Sequence, residues 1–287
     1  MIKLVHIAGI LLSLGYWLLI SLWSTMPIQI EWGFCIFLLA SLGIPHGAAD
    51  HLVAQKLAKQ ENKYFNLWVF IGKYLAVMLL YGILWYYFPL LSFILFIALS
   101  VFHFGDLETT SKPKMNASGI KYVGEIVRSF ILGIGILGFI LSQHQLEVDK
   151  ILQNFNLGVG IPFYRIPTGF YILCFLIGYQ KEHRTYFIHT GITLLIGTLL
   201  PILPAFMCYF AGCHAMYSLR VLSLSLNLSP RALLSKLLPF TLLALIMGFA
   251  YLFLVSREKW LAHAFIFLSF LTLPHFFLMH QITPQKN

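Results

Sequence analysis

Charged side chains are scarce in this 287-residue chain, because Asp, Glu, Lys and Arg together make up only 10% of it. Soluble globular proteins carry about 25% charged residues. With 59% apolar residues and a mean hydropathy of +0.83, the chain lacks the polar groups needed to cover a water-facing surface. A soluble protein is therefore excluded, and the sequence predicts an integral membrane protein.

Cysteines are also few, and they form no pattern of paired ligands. The four cysteines are Cys35, Cys174, Cys208 and Cys213; all lie in apolar stretches, and none forms a CxxC motif. Cysteines in such surroundings are typical of small buried hydrophobic residues. We therefore predict neither a disulfide framework nor a thiolate metal site.

Acidic residues are half as frequent as basic ones, since 10 Asp and Glu stand against 19 Lys and Arg, for a formal net charge of +9. In a soluble protein this excess would indicate nucleic-acid binding. In a membrane protein it is typical of cytoplasmic loops, which retain Lys and Arg. No nucleic-acid partner is therefore predicted.

Apolar runs of roughly 17 to 25 residues are the length that crosses ~30 Å of hydrocarbon as a helix. The chain contains ten candidate runs, of which the sixth is short. They cover residues 4–23, 30–49, 65–88, 89–107, 122–141, 166–179, 185–203, 204–222, 237–255 and 260–281. No loop is long enough for a soluble domain, so we predict a single transmembrane domain over residues 1–287, an all-α, polytopic bundle of about ten helices. The longest connection, 144–165, mixes charged and apolar residues and is typical of an interfacial or re-entrant segment.

The distribution of basic residues predicts how the bundle lies in the membrane. If the N-terminus is cytoplasmic, 13 basic residues fall in inside segments, four in outside segments and two within spans. Lys and Arg concentrate on the cytoplasmic side of membrane proteins. The sequence therefore predicts a multi-pass protein of the cell (inner) membrane with both termini inside.

Two motifs place a histidine and an aspartate at the end of a span. The segment GIPHGAADH, residues 43–51, contains His46 and Asp50, which share one face if the helix continues. The segment SVFHFGD, residues 100–106, contains His103 and Asp106. Ionisable groups in a bilayer are costly and mark functional sites, and ligating histidines commonly donate their second N–H to a carboxylate. We therefore predict His46 and His103 as metal ligands, with Asp50 and Asp106 as their supporting partners.

Further histidines lie in apolar spans at a comparable depth. His214 is near the middle of the eighth span, and His275 is in the tenth. In the predicted topology both spans run in the same direction as those of His46 and His103, while His189 lies in the inner half of the seventh span. Imidazoles that converge from separate helices are typical of a metal site in a bundle core, and neutral imidazole suits Fe, Zn or Cu.

The two motifs resemble the hallmark segments of the Brp/Blh family, the bacterial and archaeal membrane β-carotene 15,15′-dioxygenases. The resemblance rests on PHGAADH at 45–51, on HFGD at 103–106, on a similar chain length and on a third histidine at the position of His214. It implies an Fe(2+) enzyme that uses O2 to split the central double bond of β-carotene, or of a related carotenoid, into retinal. It further implies that His46, His103 and His214 are iron ligands, and it makes a functional link to a retinal-binding rhodopsin an additional expectation.

The chain departs from the family pattern at one position. The family has another histidine one helical turn after the third, where this chain has Ser218. Another imidazole could complete the site, with His275 the first choice and His189 the second. Alternatively, the metal keeps an open or water-filled position, or this divergent member has lost or changed its activity.

Two other classes of function stay open at this point. Paired histidines on facing helices could ligate haem, which would make the chain a membrane haem protein. The intramembrane His and Asp residues could also form the relay of a proton-coupled carrier, although the two matching interrupted helices typical of carriers are not apparent. The HxxxH and HxxHH clusters of membrane di-iron desaturases are absent.

Overall fold

A computed structural model describes residues 2–23, 26–108, 119–155 and 165–279. The helices are α1 (Ile2–Ser21), α2 (Ile28–Leu38), α3 (Ile44–Ala48), α4 (Asp50–Gln60), α5 (Leu67–Tyr87), α6 (Pro89–Glu108), α7 (Gly119–Gln143), α8 (Gln145–Asn154), α9 (Thr168–Ile177), α10 (Arg184–Gly197), α11 (Ile202–Tyr209), α12 (Met216–Ser225), α13 (Pro230–Phe253) and α14 (Trp260–Met279). Two π-helical segments, Leu39–Gly43 and Phe210–Ala215, join α2 to α3 and α11 to α12. No β-strand occurs in these ranges, which confirms the predicted all-α class.

Seven helical segments in the described part of the chain are long and apolar enough to cross a membrane. They are Ile28–Gln60, Leu67–Tyr87, Pro89–Asp106, Val123–Gln143, Ile202–Ser225, Pro230–Phe253 and Arg257–Leu278. All ten predicted spans coincide with helices, but α9 and α10 have only 10 and 14 residues. At 1.5 Å per residue these two reach roughly 15 and 21 Å of a ~30 Å hydrocarbon core. The chain is a polytopic membrane helix bundle, and the predicted count of about ten is approximate.

Large apolar side chains cover the outside of the long helices. Leu79 and Leu80 of α5 are 67% and 66% exposed, and Ile246 and Phe249 of α13 are 65% and 58% exposed. Each Å² of such surface would cost about 25 cal/mol in contact with water. Lipid chains remove this cost, so the outer surface fits a bilayer.

Helices α6 and α7 touch through their backbones. A Cβ atom at Gly105 would overlap the carbonyl oxygen of Ser129, and a Cβ atom at Gly133 would overlap that of Val101. Small residues allow this close approach between membrane helices. The contact sets the depth and rotation of α6, the helix that carries His103.

Helix α8 lies in the connection that the sequence assigns to an interface. Val148 and Leu152 are buried in a core cluster, whereas Leu146 and Lys150 are exposed. The helix therefore has one face against the bundle and one face directed outward, as interfacial helices do. Residues 156–164 of the same connection lie outside the described residues.

Candidate metal centre

The first histidine motif follows a π-helical segment. Pro45 has no N–H to donate within a helix, and immediately before it the N–H of Ile44 bonds to the carbonyl of Leu39, five residues earlier. Helix α3 ends before α4 begins at Asp50, so His46 and Asp50 belong to two short helices. The predicted continuous face is interrupted there, yet both side chains are buried, at 4% and 3% exposure.

The third histidine lies inside the other π-helical segment. His214 occupies Phe210–Ala215 and is only 1% exposed. One extra residue in a helical turn changes the direction of the side chains that follow, and π-helical segments are frequent at functional sites. Sequence reasoning missed both segments, because such a turn leaves composition and hydropathy unchanged.

The four histidines predicted as ligands meet in the interior of the bundle. Their rings come from α3, α6, the second π-helical segment and α14, and none is more than 6% exposed. The distances between ring centroids are 4.6 Å for His46–His275, 4.8 Å for His103–His214, 5.0 Å for His103–His275, 5.3 Å for His46–His214 and 5.9 Å for His46–His103. We call these four residues the histidine cluster.

The Nε2 atoms of the histidine cluster approach one another in pairs. His275 Nε2 lies 3.0 Å from His46 Nε2, and His214 Nε2 lies 3.1 Å from His103 Nε2. Ligand atoms of His46, His103 and His275 all lie within 4.8 Å of one another. Two nitrogens bound to one ion at about 2.1 Å are roughly 3.0 Å apart when the angle between the bonds is 90°. The spacing of His46, His103 and His275 fits neighbouring ligands of one ion, and His214 approaches this group through the Nε2 atom of His103.

Asp50 orients the imidazole of His275. His275 Nδ1–H donates to Asp50 Oδ1 over 2.7 Å, and the hydroxyl of Tyr74 donates to Asp50 Oδ2 over 2.9 Å. A proton on Nδ1 leaves the Nε2 lone pair directed at the other histidines, and carboxylate pairing is a common support of ligating histidines. Asp50 was predicted in this role, although it supports a histidine 225 residues away and not its neighbour in the motif. Tyr74 was missed, because nothing distinguishes it from the other 13 tyrosines in the sequence.

Three other residues considered from the sequence lie differently. Asp106 is half-buried near the end of α6, and its support of His103 stays a prediction. His189 is half-buried on α10, where its Nδ1 contacts the carbonyl oxygen of Thr185 at 2.6 Å, and it is not among the histidines whose ligand atoms group together. Ser218 is buried one turn after His214, and within the described part of the chain its hydroxyl has no hydrogen-bond partner.

The histidine cluster borders an apolar cavity of about 200 Å³. His46, His103 and His275 line it together with Asp50 and Tyr74. Most of the remaining lining is apolar, and its aromatic residues include Phe70, Phe96, Phe104, Phe206, Phe210 and Phe240. The arrangement can hold a metal ion against the side of a hydrophobic molecule.

Comparison with known proteins agrees with the motifs. The family model described as beta-carotene 15,15′-dioxygenase matches residues 37–283, a range that contains all four members of the histidine cluster. A beta-carotene 15,15′-dioxygenase of an uncultured marine bacterium (66A03) is 25% identical over 266 residues, which cover 87% of this chain and 93% of that protein. No solved structure matches the chain. The chain belongs to the β-carotene 15,15′-dioxygenase family.

Proposed function

We propose that this chain cleaves the central double bond of β-carotene, or of a related carotenoid, with O2 and releases two molecules of retinal. The observation that carries the proposal is the buried histidine cluster on the wall of an apolar intramembrane cavity, in a chain of this family. We further propose that His46, His103, His214 and His275 bind Fe2+ at this site.

The donor set supports a redox-active divalent metal. The four imidazoles are buried, and neutral imidazole suits Fe, Zn and Cu. Membership of a dioxygenase family favours Fe2+ among these. Bound Fe2+ would supply the O2 chemistry, whereas the protein would supply ligand geometry, substrate orientation and exclusion of water.

We propose that His275 takes the place of the family histidine that is replaced here by Ser218. Its Nε2 lies 3.0 Å from that of His46, and Asp50 holds it in the tautomer that a metal ligand requires. An imidazole on α14 thus brings a fourth nitrogen to the cluster without a second histidine on α12. This supports an intact site in a divergent member of the family.

The proposed reaction is balanced with O2 as the only co-reactant. The carbon–carbon double bond and the O–O bond break, and each alkene carbon takes one oxygen atom to form an aldehyde. The alkene supplies the four electrons that reduce O2, and no net proton transfer occurs.

The substrate would reach the site through the lipid. A carotenoid is a long hydrocarbon that dissolves in the bilayer, and the cavity lies between helices whose outer surfaces are apolar. We propose lateral entry between helices of a protein in the cell membrane, oriented with both termini in the cytoplasm as the basic residues predict.

The geometry of the histidine cluster disfavours the haem alternative. Two imidazoles on opposite faces of a haem iron hold their nitrogens roughly 4 Å apart, if each metal–nitrogen bond is about 2.0 Å. The Nε2 pairs here are 3.0 and 3.1 Å apart, and they suit adjacent positions around one ion. A haem protein would show a Soret band on purification, and a proton-coupled carrier would contain no stoichiometric metal.

The proposed function is tested by expressing the chain in cells that make β-carotene and analysing the carotenoids by chromatography. We expect bleaching and retinal from the wild type and from His189→Ala, and retained colour from His46→Ala and His103→Ala. The iron content of the purified proteins should be retained in the wild type and in His189→Ala, and it should be reduced in His46→Ala and His103→Ala. Retained colour with no apocarotenal of any length, from wild-type protein that is folded and contains iron, would contradict the proposal.

A further inference from the structure

A second apolar cavity lies beside the one that borders the histidine cluster. Its volume is about 100 Å³, and its walls come from α6, α7, α8, α11 and α14, with Phe155 and the start of the α11 segment closing part of it. Ser100 is the one polar side chain among its lining residues. The described residues that line this second cavity therefore offer hydrocarbon surroundings and no charged side chain.

The two cavities share a wall. It consists of five side chains that line both of them: Phe96, Ser100, Phe104, Phe206 and Phe265. Phe96, Phe206 and Phe265 are only half-buried and border open space on two sides. Side chains of this shared wall therefore separate the two cavities.

The histidine cluster stands at this shared wall. His103 lies on α6 between Ser100 and Phe104 and lines the first cavity. Ser100 and Phe104 each line both cavities. The ring of Phe104 is also 4.9 Å from that of His214. A molecule that passes from one cavity to the other therefore passes the histidine cluster at the crossing point.

Neither cavity alone provides the room for a long ligand. Pockets that enclose a drug-sized molecule measure roughly 300–1,000 Å³, and these cavities measure about 200 and 100 Å³. We propose that the second cavity binds one half of a linear polyene whose other half occupies the first cavity. The inference rests on the proposed function and extends it, because the two cavities together would hold the polyene with its middle beside the histidine cluster.

The test narrows the second cavity and leaves the first unchanged. Ile97 lines only the second cavity, whereas Ile94, three residues earlier on α6, is 49% exposed on the outer surface. We expect Ile97→Phe to lower kcat/KM for β-carotene by about tenfold or more, the effect of a small change of volume in an apolar pocket. Cleavage of an apocarotenal truncated just beyond the reacting bond should be unchanged, as should both activities in the matched control Ile94→Phe.

Binding provides a readout that does not depend on turnover. In a His103→Ala background, Ile97→Phe should reduce the β-carotene that copurifies with the protein, whereas Ile94→Phe should not. If the wild type cleaves neither substrate, the proposed function fails, and this retention experiment still decides the binding subsite. Should Ile97→Phe not fold, Ile151→Phe narrows the same cavity from α8.

Three results would overturn the subsite: unchanged β-carotene cleavage in folded Ile97→Phe, an equal loss of activity on the long and the truncated substrate, or unchanged retention of β-carotene.

Discussion

Replacement of Asp50 by asparagine removes the negative charge beside His275 and preserves the shape of the side chain. In the wild type the carboxylate accepts from His275 Nδ1 over 2.7 Å and from the hydroxyl of Tyr74 over 2.9 Å, at 3% exposure. A hydrogen bond to a charged group contributes about 1.5–3 kcal/mol, against about 0.5–1.5 kcal/mol for a neutral bond. The difference of roughly 1–1.5 kcal/mol corresponds to about five- to tenfold weaker metal binding, since 1.4 kcal/mol is a factor of ten.

Asp50→Ala removes the hydrogen bond altogether, and it should weaken metal binding by about 10- to 100-fold. The assay is a competition titration of Fe2+ against a chelator, on anaerobic protein in detergent, with the expected order wild type, Asp50→Asn, Asp50→Ala. Asp149→Asn is the control, because its carboxylate pairs with Arg165 outside the histidine cluster. Equal affinity in the wild type and in folded Asp50→Ala would refute the inference that Asp50 supports a ligating imidazole.

Three further predictions concern the histidine cluster and the packing of α6. His275→Ala should lower iron affinity by at least about tenfold, the scale of a lost supporting interaction, whereas His189→Ala should not, as metal analysis after dialysis would show. Ser218→His introduced into His275→Ala should restore part of the bound iron, because it returns an imidazole to the turn that follows His214. An unchanged iron content in this double variant would argue against the proposal that His275 takes the place of a histidine at position 218. Gly105→Ala should destabilise the bundle by about 1–3 kcal/mol, as overpacking does, because the new methyl group meets a backbone carbonyl of α7. Thermal unfolding in detergent measures this loss, and Gly124→Ala, where no atom of the described residues lies within 4 Å of the added atom, serves as the control.

Hydropathy and the rarity of charge were sufficient to predict the helical class and to single out the four histidines that the structure brings together. His46, His103, His214 and His275 stand out in the sequence because ionisable groups are expensive inside a bilayer. The predicted parallel direction of their spans placed them at a similar depth, and the structure brings them within 5.9 Å of one another in the ring pairs given above. The preference of a bilayer-spanning helix for apolar residues acts along its whole length, and the exceptions to it can therefore be recognised in the sequence.

The features that sequence reasoning missed depend on single backbone bonds or on contacts between distant residues. The π-helical segment before Pro45 arises where one N–H bonds five residues back, and no residue type marks that choice. The bond between Asp50 and His275 joins residues 225 positions apart. The short length of α10 was also missed, because the apolar composition of the chain continues beyond the end of that helix. The short α9 was expected, because the sixth predicted span is itself short.

The proposed metal ligands and the wall between the two cavities belong to the same parts of the chain. Helix α6 carries His103 together with three side chains of the shared wall, and α14 carries both His275 and Phe265. Phe206 lies on α11, which continues directly into the π-helical segment of His214. A metal ion bound by these histidines would therefore hold three helical segments, and the wall they build, in one arrangement. The metal–histidine bonds would then set both the position of the metal and the position at which a polyene crosses that wall. The arrangement of the histidines around the metal would therefore determine where the polyene is cleaved.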